Sequence, residues 1–152
     1  MGILSEKIEK SLYRCPVCNA KLAIEPPRPP HDAPCSACGH PLWCRKRLVE
    51  DVVVLDVMRG RTPEHTDAVR LAKSLVGREG IPRVVVDLSE LDFVTSAFVA
   101  RLVDLNKRIR AAKGKLVLCG MDHLLVWDAF YSTNLYKIFD ISENEEAALA
   151  SL

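Results

Sequence analysis

The chain has 152 residues, 49% of them hydrophobic and 27% charged, and a formal net charge of +1. Length and composition describe one ordinary globular domain with a real core plus a small appendage. The near-neutral balance excludes a global field for nucleic acid or an anionic membrane, so either would need a local patch. No run approaches the roughly 18 uncharged apolar residues of a membrane span, and the opening MGILSEKIEK has no apolar signal core. The expectation is a soluble cytoplasmic protein with no membrane association.

Six cysteines are present, and four form two tight pairs, Cys15-Pro-Val-Cys18 and Cys35-Ser-Ala-Cys38, separated by sixteen residues. That spacing suits a four-thiolate zinc site with Cys15, Cys18, Cys35 and Cys38 as ligands. Each pair bends the backbone so that two sulfurs face one ion. The residue after the second sulfur then takes positive φ, which Gly39 adopts freely and Asn19 tolerates. A redox-active pair would want a thioredoxin-like strand and helix around it, which this proline-rich segment lacks. On spacing and knuckle residues, 13–44 resembles a zinc ribbon. His31 and His40 are spare ligands only if a cysteine fails. Between the knuckles, Glu25 to Pro34 holds five prolines within nine positions and reads as an extended spacer. With few large apolar groups, residues 1–42 would depend on metal for their fold. Lys7, Lys10, Arg14, Lys21 and Arg28 against Glu6, Glu9, Glu25 and Asp32 leave about one net positive charge. Little aromatic content accompanies it, which argues against nucleic-acid binding and for a structural or protein-docking ribbon.

From Trp43 the pattern becomes that of a sheet with helices. Trp43–Val49 and Asp51–Met58 read as a hairpin turning at Glu50-Asp51, with Cys44 a small strand residue. Thr62 as N-cap and Pro63 at the first helical position announce a helix with the stripe Ala68, Val69, Leu71, Ala72, Leu75 and Val76. Val84 to Leu88 is a β-branched run suited to a strand buried on both faces. From Thr95 the apolar residues Phe98, Leu102, Leu105, Ile109 and Ala112 recur at helical period, and Gly114 sits where the helix end needs a left-handed residue. Lys115 to Cys119 is a second buried strand, completing a right-handed βαβ unit. Asp122 is positioned to cap a helix reaching Phe130, on which Trp127, Phe130 and Tyr131 read as core. A short strand at Tyr136–Ile141 and a helix starting at Ser142 follow. The fold class is α/β, a mixed sheet with helices packed on it. There is no glycine-rich phosphate loop.

Three separated segments, Asp87-Leu-Ser-Glu-Leu-Asp-Phe-Val-Thr-Ser, Leu105-Asn-Lys-Arg-Ile-Arg-Ala-Ala-Lys-Gly-Lys-Leu-Val-Leu-Cys-Gly and Thr133-Asn-Leu-Tyr-Lys-Ile-Phe-Asp-Ile, resemble the STAS domain, the fold of bacterial anti-sigma factor antagonists. The likeness runs over residues 43–152, with the ribbon and its spacer at 1–42. It implies a bacterial partner-switching module and not an enzyme. The antagonist binds an anti-sigma factor that is also a serine kinase, and phosphorylation at the start of the central helix breaks the complex. The family's Asp-Ser-Ser-Gly-Leu-Gly motif falls on Thr95-Ser96-Ala97-Phe98-Val99-Ala100. The resemblance thus makes Ser96 the phosphoacceptor, with Thr95 the lesser alternative, and makes Thr95, Ser96, Ala97, Phe98 and Val99 the partner face. Thr95 replaces the acid, and Phe98 and Ala100 replace the glycines. Phe98 would therefore block a partner's approach or offer an apolar contact.

Elementary physics accommodates a switch there. A phosphoryl group at a helix N-terminus meets unpaired N–H groups and the positive end of the dipole, while its charge acts on whatever docks. The bland reading is that Thr95 or Ser96 simply caps the helix. Arg101, Lys107, Arg108, Arg110, Lys113 and Lys115 against Asp104 read as a solvated basic face. Cys119 reads as a core thiol, and His65 and His123 lack a catalytic partner at suitable spacing. The leading expectation is a regulatory docking module in which the ribbon provides a second docking or self-association surface, allowing a homodimer. The alternative is a ribbon-directed nucleic-acid-binding regulator with the sheet domain as its input.

Overall fold

The computed structural model describes residues 13–22, 34–35, 37–39, 42–59, 62–77 and 80–152. The readings made for His31, His40 and most of the proline-rich spacer lie outside them. Among the described residues, five strands and four helices follow in order: β1 (Cys44–Val49), β2 (Val52–Val57), α1 (His65–Val76), β3 (Arg83–Asp87), α2 (Ser96–Ala111), β4 (Lys115–Cys119), α3 (Leu124–Ser132), a 3-10 turn (Leu135–Lys137), β5 (Asp140–Ile141) and α4 (Glu145–Ala150). The sheet order is β1-β2-β3-β4-β5. The β1 and β2 strands are antiparallel, and every later neighbour is parallel.

Each parallel strand lies beside its predecessor, so right-handed crossovers deliver α1, α2 and α3 to one face. Period-two alternation then splits the strands between two cores. Val53, Leu55, Val57, Val84, Val86, Leu116 and Leu118 face the three helices, meeting Leu71, Leu75, Leu102, Leu105, Ile109 and Phe130. Val52, Val54, Val85, Val117 and Cys119 face the other way, where the short α4 contributes Ala148.

The elements stand where the periodicities put them, but several caps do not. The α1 helix is capped by Glu64, whose side chain and that of Asp67 form a reciprocal capping box, so Thr62 and Pro63 precede it. His123 caps α3 through Nδ1, accepting from the Leu125 amide at 3.2 Å, and Asn144 caps α4. Asp122 and Ser142 do neither. At the end of α2 the left-handed residue is Lys113, with φ 64°. Gly114 answers a different need: a Cβ there would lie 2.3 Å from the Pro82 carbonyl oxygen. The last strand contracts to two residues because Leu135–Lys137 coils into the 3-10 turn. Val126 and Phe130 are the buried residues of α3, whereas Trp127 and Tyr131 are 36% and 44% exposed, contrary to their core reading.

Candidate functional site

Two places draw chemistry-bearing residues together: the cysteine pairs and the start of α2. In the first, the Cys15 and Cys38 sulfurs are 3.8 Å apart and those of Cys18 and Cys35 are 3.6 Å apart. All four lie within 4.8 Å of one another. A tetrahedral ion with metal–sulfur bonds of about 2.3 Å would hold sulfurs about 3.8 Å apart, whereas a disulfide needs about 2 Å. The four thiols therefore fit a metal ion. Both knuckles are built alike. The Asn19 amide donates to the Cys15 carbonyl at 3.0 Å and the Gly39 amide to that of Cys35 at 2.8 Å, with φ of 66° at Asn19 and 74° at Gly39. Val17 N–H also donates to the Cys15 sulfur at 3.4 Å.

Burial pushes the Cys15 thiol up to about 12. Burial acts upward on Cys35 too, but the N–H groups of Cys38 and Ala37 and the hydrogen bonds from the Cys18 and Cys15 thiols together outweigh it and bring that thiol down to about 7. One sulfur is thus predisposed to the thiolate form that a metal requires.

This segment docks on the sheet. Arg14 and Lys46 exchange backbone hydrogen bonds of 2.7 and 2.9 Å, so the first knuckle covers the free edge of β1. The Arg45 guanidinium lies 4.7 Å over the Tyr13 ring and donates to Glu90 at 2.9 Å. Cys15, Cys35, Leu42 and Met58 form a buried cluster, joined by Val17, Ala20 and Leu22.

At the start of α2 the two hydroxyls have different situations. Thr95 is the N-cap, and its Oγ1 accepts from the Phe98 amide at 3.1 Å. Ser96, the first helical residue, is exposed, as are Ala97 and Ala100. Val99 is half-buried against the core. Phe98 departs from the expected partner face. It is 4% exposed and meets Trp43 edge-to-face at 6.3 Å, because it lies on the helix stripe that the sheet buries. Phe98 also helps line a groove of about 360 Å³, together with Thr95, Met58, Arg59, Leu91 and Phe93. Phe93 itself is exposed.

Two constellations had no local sequence signal, since their members are far apart in the chain. His65 Nδ1 lies 4.0 Å from Asp104, which also takes Arg108 at 3.0 Å. Asp56, Asp87 and Glu145 bring carboxylate oxygens within 4.8 Å of one another on the α4 face, where Arg47 bridges Asp56 and Glu145. Register aligns Asp56, Asp87 and Cys119 side by side across β2, β3 and β4. Burial, reinforced by those acids, pushes the Cys119 thiol up to about 12. Burial also drives Cys44 well above its ordinary value.

A five-stranded sheet with one antiparallel edge and three helices on one face is the architecture of the STAS class. Residues 19–148 match the STAS domain family, and the chain belongs to it. A stretch of 73 residues is 34% identical to BtrV of Bordetella bronchiseptica, described as an anti-sigma factor antagonist. That match covers 48% of this chain and 62% of the relative, so the chain spans less than two thirds of that relative's length. Among solved structures, an anti-sigma factor antagonist of Thermotoga maritima superposes with a TM-score of 0.55 at 21% identity, covering 70% of this chain and 91% of its own. An anti-sigma-factor antagonist (STAS) domain protein of Planctomyces limnophilus gives 0.54 at 25% identity, covering 70% and 96%. Among the described residues no helix is long and apolar enough to cross a membrane.

Proposed function

We propose that this protein is a bacterial cytoplasmic partner-switching module, an anti-sigma factor antagonist in mode of action, that works by docking and not by catalysis. Its sheet domain, residues 43–152, grips a protein partner through the start of α2, with Ser96, Ala97 and the margin at Val99 as contact residues. The partner is an anti-sigma factor with serine-kinase character, and phosphorylation of Ser96 releases it. The observation that carries this reading is the division of labour between the two hydroxyls. Both are exposed, but the Thr95 oxygen is committed to the cap, whereas Ser96 stands beside it at a helix N-terminus where a phosphoryl group is tolerated by the fold. Its added charge of about −1.5 to −2 then acts on the docked protein.

The cysteine segment, residues 1–42, is a ribbon that holds zinc through Cys15, Cys18, Cys35 and Cys38. The separations of 3.6 and 3.8 Å support this assignment. The ion would supply a tetrahedral crosslink of four thiolates, while the chain's own N–H donors at Val17, Asn19 and Gly39 hold the knuckles in shape.

Incubation with a family serine kinase and ATP, followed by phosphopeptide mapping, tests the switch. Phosphate on Ser96 supports it, and modification of neither Ser96 nor Thr95 leaves a constitutive binder. Elemental analysis of the purified chain tests the metal, with one zinc per chain expected.

A further inference from the structure

We infer that metal held by the four cysteines sets the packing of the groove at the start of α2, so that the ribbon gates the docking face. The inference rests on the zinc loading and docking face proposed above. Two residues carry the link. Met58, just past β2, belongs to the buried cluster of Cys15, Cys35 and Leu42, and it also lines the groove with Thr95 and Phe98. Its amide donates to the Trp43 carbonyl at 2.8 Å. Trp43 follows Leu42 in the chain and packs edge-to-face on Phe98 with an interplanar angle of 79°. One layer of side chains therefore separates the metal ligands from the first turn of the helix.

The layer depends on the ribbon for its cover. A segment with so small a core keeps its shape only while its crosslink is in place. Without it, Leu42 and Met58 lose the apolar lid formed with Cys15, Val17 and Leu22. The Trp43 ring is 1% exposed, yet its indole N–H has no acceptor among the described residues. A buried donor without a partner is unfavourable, and water admitted at this junction would relieve it. Removing the metal thus favours a state in which Trp43 and Met58 shift, Phe98 loses its ring partner and the Thr95 cap loosens.

Hydrogen exchange on the full chain, zinc-loaded and after treatment with a strong chelator, tests this, with zinc content measured on both samples. The amides of Phe98 and Val99, both bonded to Thr95, are expected to exchange about tenfold faster or more once zinc is gone, while Ala147 and Ala148 in α4 are unchanged. A Trp127→Phe variant leaves Trp43 as the sole tryptophan. Its emission should shift to the red on chelation and return when zinc is restored. In Met58→Ala the zinc remains bound and the effect at Phe98 and Val99 shrinks. Zinc loss with changes confined to 13–22 and 34–39 overturns the gating and leaves the zinc and docking readings standing, as does a uniform rise across all amides. A chain that binds no zinc overturns the metal reading and the gating with it, and the phosphate mapping at Ser96 judges the docking face separately.

Discussion

Replacing Ser96 by Asp should separate two properties that a helix start usually confounds. The cap belongs to Thr95, through its 3.1 Å bond to the Phe98 amide, and Ser96 is exposed beside it. An acidic group in the first turn favours the helix by about 0.3–1 kcal/mol. The variant should therefore melt at the wild-type temperature or up to about 4 °C above it, given about 2–4 °C per kcal/mol for a domain of this size. Thr95→Ala should instead cost about 1 kcal/mol, the usual value of a lost cap. Binding should respond in the opposite sense. A charge left uncompensated in a closed contact costs about 3–5 kcal/mol, which weakens Kd by about two to three and a half orders of magnitude. Calorimetric titration of the partner into wild type, Ser96→Ala and Ser96→Asp, beside thermal melts of each, measures both. The reasoning fails if Ser96→Asp binds like wild type, or if it loses binding only in step with a fall in melting temperature.

Gly114→Ala should destabilise the domain by about 1–3 kcal/mol in urea titrations, because its Cβ would meet the Pro82 carbonyl oxygen at 2.3 Å and Ile109 at 2.9 Å. Arg47→Met should leave Asp56 and Glu145 without their shared cation and crowded beside Asp87, and should cost roughly 2 kcal/mol given that the group is only partly buried. Burial holds Cys119 and Cys44 in the neutral form, so iodoacetamide at pH 8 should label neither in the native protein and both in denaturant. The sign for stability follows: the Cys119 pKa is raised in the folded state, so its contribution is intact below 9.0 and fades as pH rises toward about 12. Cys119→Ala should flatten that alkaline limb.

The sheet, the central helix and the four-cysteine cluster were legible in the sequence because each rests on a strong local regularity. The β-branched runs of β2 and β3, the period of Phe98, Leu102, Leu105 and Ile109, and the two C-x-x-C pairs admit few other arrangements. Caps were less legible because neighbouring residues compete for one role. Thr62 and Glu64 both suit the start of α1, and Asp67 three residues on decides for Glu64 by closing the box. Trp127 and Tyr131 misled because aromatic residues favour cores on average. In α3, Val126 and Phe130 already fill the inward stripe at i, i+4, while on the outside Trp127 meets Tyr131 at a tilt and Tyr131 stacks on Tyr136. Contacts such as Arg47 with Glu145 or Met58 with Cys15 belong to topology, and no window of sequence contains both members.

Phe98 and Ala100, the two positions where the resemblance leads one to expect glycine, sit differently once the helix is placed on its sheet. Phe98 is two residues from Ser96, about 200° around the helix, so a side chain there faces the core when Ser96 faces out. The phenyl ring lies inside the domain, where it packs on Trp43. It does not stand between Ser96 and a partner. Ala100 differs, being exposed and one turn from Ser96 and Ala97 on the same side. Ala100 therefore presents a single methyl group on the exposed side of the first turns. The change at Phe98 acts inward instead, giving the first turn of α2 an anchor that leads through Trp43 and Met58 to the cysteine cluster. The cysteine cluster and the start of α2 are thus joined through one layer of side chains, that of Trp43 and Met58.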